Sequence, residues 1–190
     1  MTNPLYKAHC FVFTGGPGAG KTAVIEVLEQ KGYPCIPEVA RQIIRQQVAS
    51  DGTGVPWKDM QLYTQLMQDQ TIAIFDTAPP ASAGACFFDR GLPDVICHAQ
   101  LNSLPVDEAL QNAAYQLRYN QQVFLFPPWE EIYQIDAERK QDFVTAVATY
   151  EVLKDVYKKY DYILVEVPRM PVTDRTAFIL EEAGKYYPPD

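Results

Sequence analysis

The sequence lacks several features that would assign a protein to a broad class. No apolar run approaches the roughly 20 residues of a membrane-spanning helix, and the N-terminus shows no charged leader with an apolar core and a cleavage site. We therefore expect a cytoplasmic protein without a membrane span. The net charge is -8 and the isoelectric point about 4.8, whereas a broad nucleic-acid-binding surface is usually basic. Nucleic acid is therefore not an expected partner.

Metal-binding side chains are also scarce. The chain has only two histidines, and its four cysteines are widely spaced with no Cys-x-x-Cys pair. Zinc sites usually combine such residues at short spacings. The composition therefore argues against a metal site made of histidine and cysteine.

What is present is the alternating pattern of an α/β protein. Apolar, strand-like runs occupy residues 8–13, 84–89, 122–126 and 160–167, with a weaker run at 32–37. Helical periodicity is seen over residues 21–32, 57–76, 106–120, 137–160 and 172–184, the last opened by Thr173 or Asp174 and ended by Gly184. Strands that alternate with helices form a parallel sheet covered on both faces. We predict one three-layer domain over residues 1–190.

A glycine-rich loop follows the first predicted strand. The segment GGPGAGKT fits the phosphate-loop pattern G-x-x-x-x-G-K-[ST], and a predicted helix follows it. Its backbone N–H groups would cradle the phosphates of a nucleoside triphosphate, while the lysine bridges the β- and γ-phosphates and the threonine binds Mg²⁺. The predicted nucleotide-binding residues are Gly15, Gly16, Pro17, Gly18, Ala19, Gly20, Lys21 and Thr22.

An acidic residue ends the third predicted strand. Asp89 occupies the position of a Walker B acid, so we predict that it binds Mg²⁺ together with Thr22. Motor ATPases usually place a second acid directly after this position, whereas this chain has Arg90. That difference argues against a plain ATPase. The alternative interpretation of Asp89 and Arg90 is a local ion pair at a strand end.

Glu38 and Arg41 follow the second predicted strand, at the sheet edge where the glycine loop is expected. The carboxylate is a candidate base for a substrate hydroxyl, and Arg41 could bind an anion or brace that carboxylate. The structural alternative is an acid that complements a helix dipole.

A possible lid spans about residues 127–140. Arg139, and Lys140 as a second candidate, could swing over the γ-phosphate and offset its developing charge. The alternative interpretation is a solvated run of charges at a helix start.

Taken together, GGPGAGKT, PEVARQII, FFDRG and ERKQDF, with the C-terminal VEVPRMPVTDRTAFILE, resemble a known family over essentially the whole chain. It is the P-loop NTPase/kinase family, labelled AAA-type ATPase, that contains the nicotinamide riboside kinase domain of bacterial NAD-regulating proteins. The resemblance implies a five-stranded parallel sheet in the order 2-3-1-4-5, with ATP and Mg²⁺ bound at the loop. It also implies that Glu38 is at the position of a base, Arg90 contacts phosphate or substrate, and Arg139 belongs to the lid.

The predicted activity is therefore that of an ATP-dependent kinase acting on a hydroxyl of a nucleoside-like metabolite. Its predicted catalytic residues are Lys21, Glu38, Asp89, Arg90 and Arg139, and its substrate-binding residues are Glu38, Arg41 and Arg90. Either Glu38 or Asp89 could be the base. No Asn-Lys-x-Asp or Thr-Lys-x-Asp guanine signature occurs, so ATP is the default nucleotide and GTP an alternative. A nucleotide-dependent switch, or an NTPase without an acceptor, is the alternative function.

Overall fold

The computed structural model describes residues 3–132 and 143–187. The strands are β1 (Leu5–Tyr6), β2 (Cys10–Gly15), β3 (Cys35–Ile36), β4 (Cys86–Asp89), β5 (Leu117–Arg118), β6 (Gln122–Phe126) and β7 (Ile163–Glu166). The helices are α1 (Lys21–Gln30), α2 (Val39–Ala49), α3 (Met60–Asp76), α4 (Leu92–Leu101), α5 (Glu108–Gln116), α6 (Phe143–Lys159) and α7 (Val172–Tyr186). Short 3-10 turns lie at Ala81–Ala83 and Glu130–Ile132.

Five of the strands form a fully parallel sheet in the order β3-β4-β2-β6-β7. Counted along the chain within this sheet, the order is 2-3-1-4-5, so the expected topology is confirmed. β1 and β5 form a separate two-stranded parallel sheet that the sequence analysis did not predict.

The two faces of the large sheet bury different side chains. On one face, alternate phenylalanines of β2, β4 and β6 pack with α1 and α7, and their neighbouring ring centroids are 5.3–5.9 Å apart. On the other face, the alternate residues of the same strands pack against α2 to α6; they are Cys10, Val12, Cys86, Phe88 and Val123. The central strands β2, β4 and β6 read as continuous apolar runs because both of their faces are buried. The three-layer α/β architecture is thus confirmed.

Several predicted boundaries are wrong. The predicted helix over 106–120 stops at Gln116, because the next two residues pair with β1. The last helix continues through Gly184 to Tyr186 and is preceded by Pro171, not capped by Thr173 or Asp174. Helix α4 was not predicted, because seven of its ten residues are buried and it lacks an amphipathic pattern. None of the described helices is long and apolar enough to cross a membrane.

Candidate functional site: a phosphate loop and an adjoining carboxylate

The glycine loop connects β2 to α1, as predicted. Gly20 precedes the helix with φ of 83°, in the left-handed region that glycine adopts without strain. Gly20, the N-cap residue, has no side chain to cap this helix end, and the first turn of the helix contains no acidic residue. The first N–H groups of α1 are therefore not capped by Gly20 and suit an anion that approaches along the helix axis.

The start of the loop is held closely between two other elements. A Cβ atom at Gly15 would lie 2.5 Å from the carbonyl oxygen of Phe126 in β6, and one at Gly16 would lie 2.7 Å from that of Ala146 in α6. Both neighbours are backbone atoms and cannot move by a simple rotamer change. The glycines therefore fix the loop against the sheet and α6.

Lys21 is buried within the loop. Its Nζ donates hydrogen bonds to the carbonyl oxygens of Gly15, at 3.2 Å, and Gly16, at 3.3 Å. Burial lowers the pKa of Lys21 to about 8, even though the nearby carboxylates of Asp89 and Glu38 act in the opposite direction. The ammonium group is thus placed at the loop at a cost in solvation that an anionic ligand would offset.

Asp89 ends β4 and pairs in register with Phe13 of β2, one strand from the loop. Its Oδ1 is buried and has no hydrogen-bond partner among the described residues. Burial raises the pKa of Asp89. A buried, unpaired carboxylate oxygen suits a cation, and Thr22 lies exposed at the start of α1. Both residue types fit Mg²⁺, which typically uses one or two protein oxygens together with phosphate and water.

Across the described part of the chain, no group of three or more histidine, cysteine, aspartate or glutamate residues is arranged to hold a metal ion. A metal bound by Thr22 and Asp89 would therefore take its other ligands from the nucleotide and from water. This limited protein contribution is usual for Mg²⁺ in nucleotide sites.

Arg90 connects the loop to Glu38. Its Nη1 donates to the carbonyl oxygen of Gly15 at 3.1 Å, and its Nε donates to Oε1 of Glu38 at 2.8 Å. The φ angle of Arg90 is 80°, a left-handed conformation that is uncommon for residues other than glycine and occurs often at functional sites. Arg90 therefore does not form the local pair with Asp89 considered above, since its described bonds lead to the loop and to other acids.

Glu38 also accepts a hydrogen bond from Arg41, whose Nε lies 2.9 Å from Oε2. Burial opposes the charge of Glu38, but the positive charges of Arg90 and Lys21 outweigh it and lower the pKa of Glu38 to about 2. Glu38 precedes α2 without capping it. Its side chain is thus ionised and is held by two guanidinium groups beside the phosphate loop.

Asp94 is a central residue that the sequence analysis missed. Its Oδ1 accepts from Thr14 Oγ1 at 2.7 Å and from Arg90 Nη1 at 3.0 Å. Its Oδ2 accepts from the N–H of Gly91 at 2.9 Å and from the Tyr157 hydroxyl at 2.5 Å. This buried carboxylate holds the guanidinium of Arg90 in place through its bond to Nη1. The i,i+4 spacing of Arg90 and Asp94 in DRGLPD was the available signal.

An aromatic pair lies next to α2, the helix that Glu38 precedes. Tyr63 in α3 donates a long hydrogen bond, 3.4 Å, to the carbonyl of Ala40 in α2, and its ring lies edge-on to His98 of α4, with 5.5 Å between centroids. Burial lowers the pKa of His98 to about 4, so its imidazole is neutral at pH 7. Burial and the negative charge of Glu38 raise the pKa of Tyr63, which indicates that its hydroxyl lies near that carboxylate.

The predicted lid is only partly described. Its two candidate cations, Arg139 and Lys140, lie within residues 133–142, outside the described part of the chain. The first part of the predicted lid is described and contains Trp129, whose ring lies 5.4 Å from the guanidinium carbon of Arg175 in α7.

The fold is shared with kinases of known structure. The NadR protein in complex with NR matches with a TM-score of 0.72 and 15% identity, over 95% of this chain and 51% of that one. Thymidylate kinase from Ehrlichia chaffeensis gives 0.60 and 12%, over 92% and 97% of the two chains. Shikimate kinase from Aquifex aeolicus gives 0.55 and 14%, over 95% and 99%. These similarities establish the P-loop kinase fold, and the chain spans about half the length of the NadR protein.

No curated protein matches the chain in sequence at a significant level. A family model does match, from the first residue of β2 into the first turn of α7. Because this match to an AAA domain covers residues 10–175, the chain belongs to the AAA domain family designated AAA_28.

Proposed function

We propose that the protein is a kinase that transfers the γ-phosphoryl group of ATP to a hydroxyl of a nucleoside-like metabolite. The observation that carries this proposal is the bridge made by Arg90. One guanidinium contacts both the first glycine of the phosphate loop and the carboxylate of Glu38. A carboxylate so close to the loop suits a second substrate whose hydroxyl must be aligned with the terminal phosphate.

Charge neutralisation is assigned to the residues around the loop. Lys21 and Arg90 offset the negative charge that spreads over the transferring group, and the buried setting strengthens their effect. Thr22 and Asp89 would hold Mg²⁺, which, when bound, neutralises phosphate charge and aligns the phosphates for transfer. Arg139 is proposed as a further cation from the lid.

Glu38 is assigned to the acceptor. With a pKa of about 2 it is a weak base, but phosphoryl transfer passes through a loose transition state that requires little basicity at the start of the reaction. Glu38 therefore orients the acceptor hydroxyl by accepting its hydrogen bond and takes its proton late in the transfer. Arg41 holds the second carboxylate oxygen.

The test is transfer of label from γ-labelled ATP to a panel of hydroxyl compounds. The panel contains nicotinamide riboside, thymidylate and shikimate, in line with the resemblance above and the names of the similar structures, together with deoxynucleosides as further nucleoside-like compounds. We expect a labelled product with one acceptor class. Glu38→Gln should lower the transfer rate by about 100-fold or more while nucleotide affinity changes little.

Glu26→Gln is the matched control, because Glu26 is exposed on α1 away from the loop. Hydrolysis without any acceptor, at a rate that Glu38→Gln leaves unchanged, would instead identify an NTPase. Tight nucleotide binding without turnover would favour the regulatory switch.

A further inference from the structure

Arg175 is a buried cation with few partners. It lies in the first turn of α7, only 4% exposed. Its Nη1 donates to the carbonyl oxygens of Ala19 at 3.5 Å and Gly20 at 3.4 Å, while its buried Nε has no hydrogen-bond partner among the described residues. Within residues 3–132 and 143–187, no carboxylate forms a salt bridge with it. Burying a guanidinium without a counter-charge is costly, so this position needs an explanation.

The two carbonyl groups identify what Arg175 acts on. The carbonyl of Ala19 belongs to the same peptide unit as the N–H of Gly20, and the carbonyl of Gly20 to the same unit as the N–H of Lys21. Both N–H groups belong to the phosphate loop, at the N-terminal end of α1, where the N-cap residue Gly20 offers no side-chain cap. A cation at the oxygen of a peptide unit polarises it and makes its N–H a stronger donor.

The contact between Arg175 and the loop is close. A Cβ atom at Gly20 would lie 2.6 Å from Nη1 of Arg175. The guanidinium therefore sits directly on the carbonyl side of the loop, opposite the side from which N–H groups bind phosphate. Burial also lowers the pKa of Arg175, which agrees with the absence of a salt-bridge partner among the described residues.

We propose that Arg175 is a positioning residue that raises the affinity of the phosphate loop for nucleotide through its contacts with the carbonyl groups of Ala19 and Gly20. It polarises the peptide units that end in the N–H groups of Gly20 and Lys21. Its positive charge is compensated when the loop binds polyphosphate. This inference rests on the loop binding a nucleoside triphosphate, as in the proposed function, but not on phosphoryl transfer to an acceptor.

The test compares Arg175→Met, which removes the charge but keeps a linear side chain, with Arg175→Lys, which keeps the charge. Dissociation constants for ATP, ADP and inorganic triphosphate are measured by calorimetry in the presence of Mg²⁺. Arg175→Met should weaken all three by about tenfold, the size of effect seen for a charge at a helix terminus in a partly buried setting. Arg175→Lys should stay within about threefold of the wild type.

The salt dependence of nucleotide affinity distinguishes an electrostatic role of Arg175 from a purely structural one. The dependence of affinity on salt concentration should be smaller for Arg175→Met than for the wild type, because one attractive charge is gone. Binding can also be followed by the fluorescence of Trp129, which lies against Arg175. Trp57, the other tryptophan and an exposed one, is replaced by Phe for this measurement.

Arg118→Met is the matched control. Arg118 also lies over an aromatic ring, 4.1 Å from Tyr162, and donates to the backbone carbonyl of Tyr160, but it lies in β5, outside the loop. Its replacement should leave the three dissociation constants unchanged.

Unchanged affinity in Arg175→Met would overturn the inference. So would equal weakening in Arg175→Lys and Arg175→Met together with a lower melting temperature, which would indicate a packing role. Nucleotide binding without transfer to any acceptor would count against the kinase proposal alone. An absence of nucleotide binding by the wild type would overturn both.

Discussion

Replacing Lys21 by methionine should stabilise the unliganded protein at neutral pH while it abolishes nucleotide binding. The folded protein holds the Lys21 ammonium in a buried position, where burial lowers its pKa from 10.5 to about 8. Methionine is apolar and of similar length, so it removes the solvation cost and keeps the packing. A residue required for ligand binding is thus expected to lower the stability of the free fold.

The size of the effect follows from the pKa. One pKa unit corresponds to about 1.4 kcal/mol, so the buried charge costs about 3 kcal/mol where both states are protonated. Loss of the Lys21 hydrogen bonds to the carbonyls of Gly15 and Gly16 should destabilise the variant by about 1 kcal/mol. The net gain is therefore about 2 kcal/mol, or roughly 6 °C in melting temperature for a chain of this size.

The sign also determines the pH dependence. Below pH 8, Lys21 is charged in the folded and unfolded states, and the full cost is present. Between pH 8 and 10.5 the folded state loses its proton first, so the wild type becomes relatively more stable as the pH rises. The advantage of Lys21→Met should therefore shrink over this window and disappear above it.

The assay is urea unfolding of wild type and Lys21→Met at intervals from pH 6 to 11. Lys31→Met is the matched control, since Lys31 is exposed just after α1, and its difference from the wild type should not follow this pH course. If Lys21→Met is destabilised at pH 7, or if its gain is the same at pH 7 and pH 10.5, the reasoning is refuted.

Three further substitutions test the surroundings of the site. Gly16→Ala would place a Cβ atom 2.7 Å from the carbonyl oxygen of Ala146. We therefore expect the unfolding free energy measured in urea to fall by about 1–3 kcal/mol and nucleotide binding measured by calorimetry to weaken; wild-type values would contradict the close approach. Asp94→Asn removes the buried charge partner of Arg90 and should cost about 3 kcal/mol of unfolding free energy, whereas a change below about 1 kcal/mol would mean that Asp94 does not hold Arg90. Gly184→Ala changes a residue inside α7, where no described atom beyond the neighbouring backbone of the helix lies within 4 Å of the added Cβ. It should raise the unfolding free energy by about 0.5–1 kcal/mol; a loss would contradict the open space there.

All four strong apolar runs correspond to strands of the main sheet. One of them, β7, is a partly exposed edge strand. The other three, β2, β4 and β6, were predicted correctly because buried parallel strands are short, continuous apolar runs. Helix α4 failed for the same reason: it is apolar on nearly every side, so its sequence shows no period. The extension of α7 beyond Gly184 has another cause. Packing of Ile179 and Ala183 in the core outweighs the modest helix penalty of one glycine.

Asp94 and Arg175 show what a pattern search could not supply. Asp94 binds Thr14, 80 residues away, and Tyr157, 63 residues away. Arg175 contacts the carbonyl of Ala19 across 156 residues. In sequence, Arg175 is an ordinary charge in the first turn of a predicted helix, where solvated side chains are common. Asp94 lies in a segment for which no helix was predicted, and its spacing from Arg90 is its only local signal.

The sequence by itself determined the phosphate loop, because its glycines, lysine and helix start are consecutive residues whose geometry is local. It also indicated that Asp89 and Glu38 share an edge, since the carboxyl ends of parallel strands meet there. Only the tertiary structure decided which charges meet. Arg90 forms ion pairs with Glu38 and Asp94, Arg175 contacts the carbonyl side of the loop, and Lys21 is buried. These features could not be predicted, because desolvation and ion pairing depend on residues that the fold brings together from distant parts of the chain.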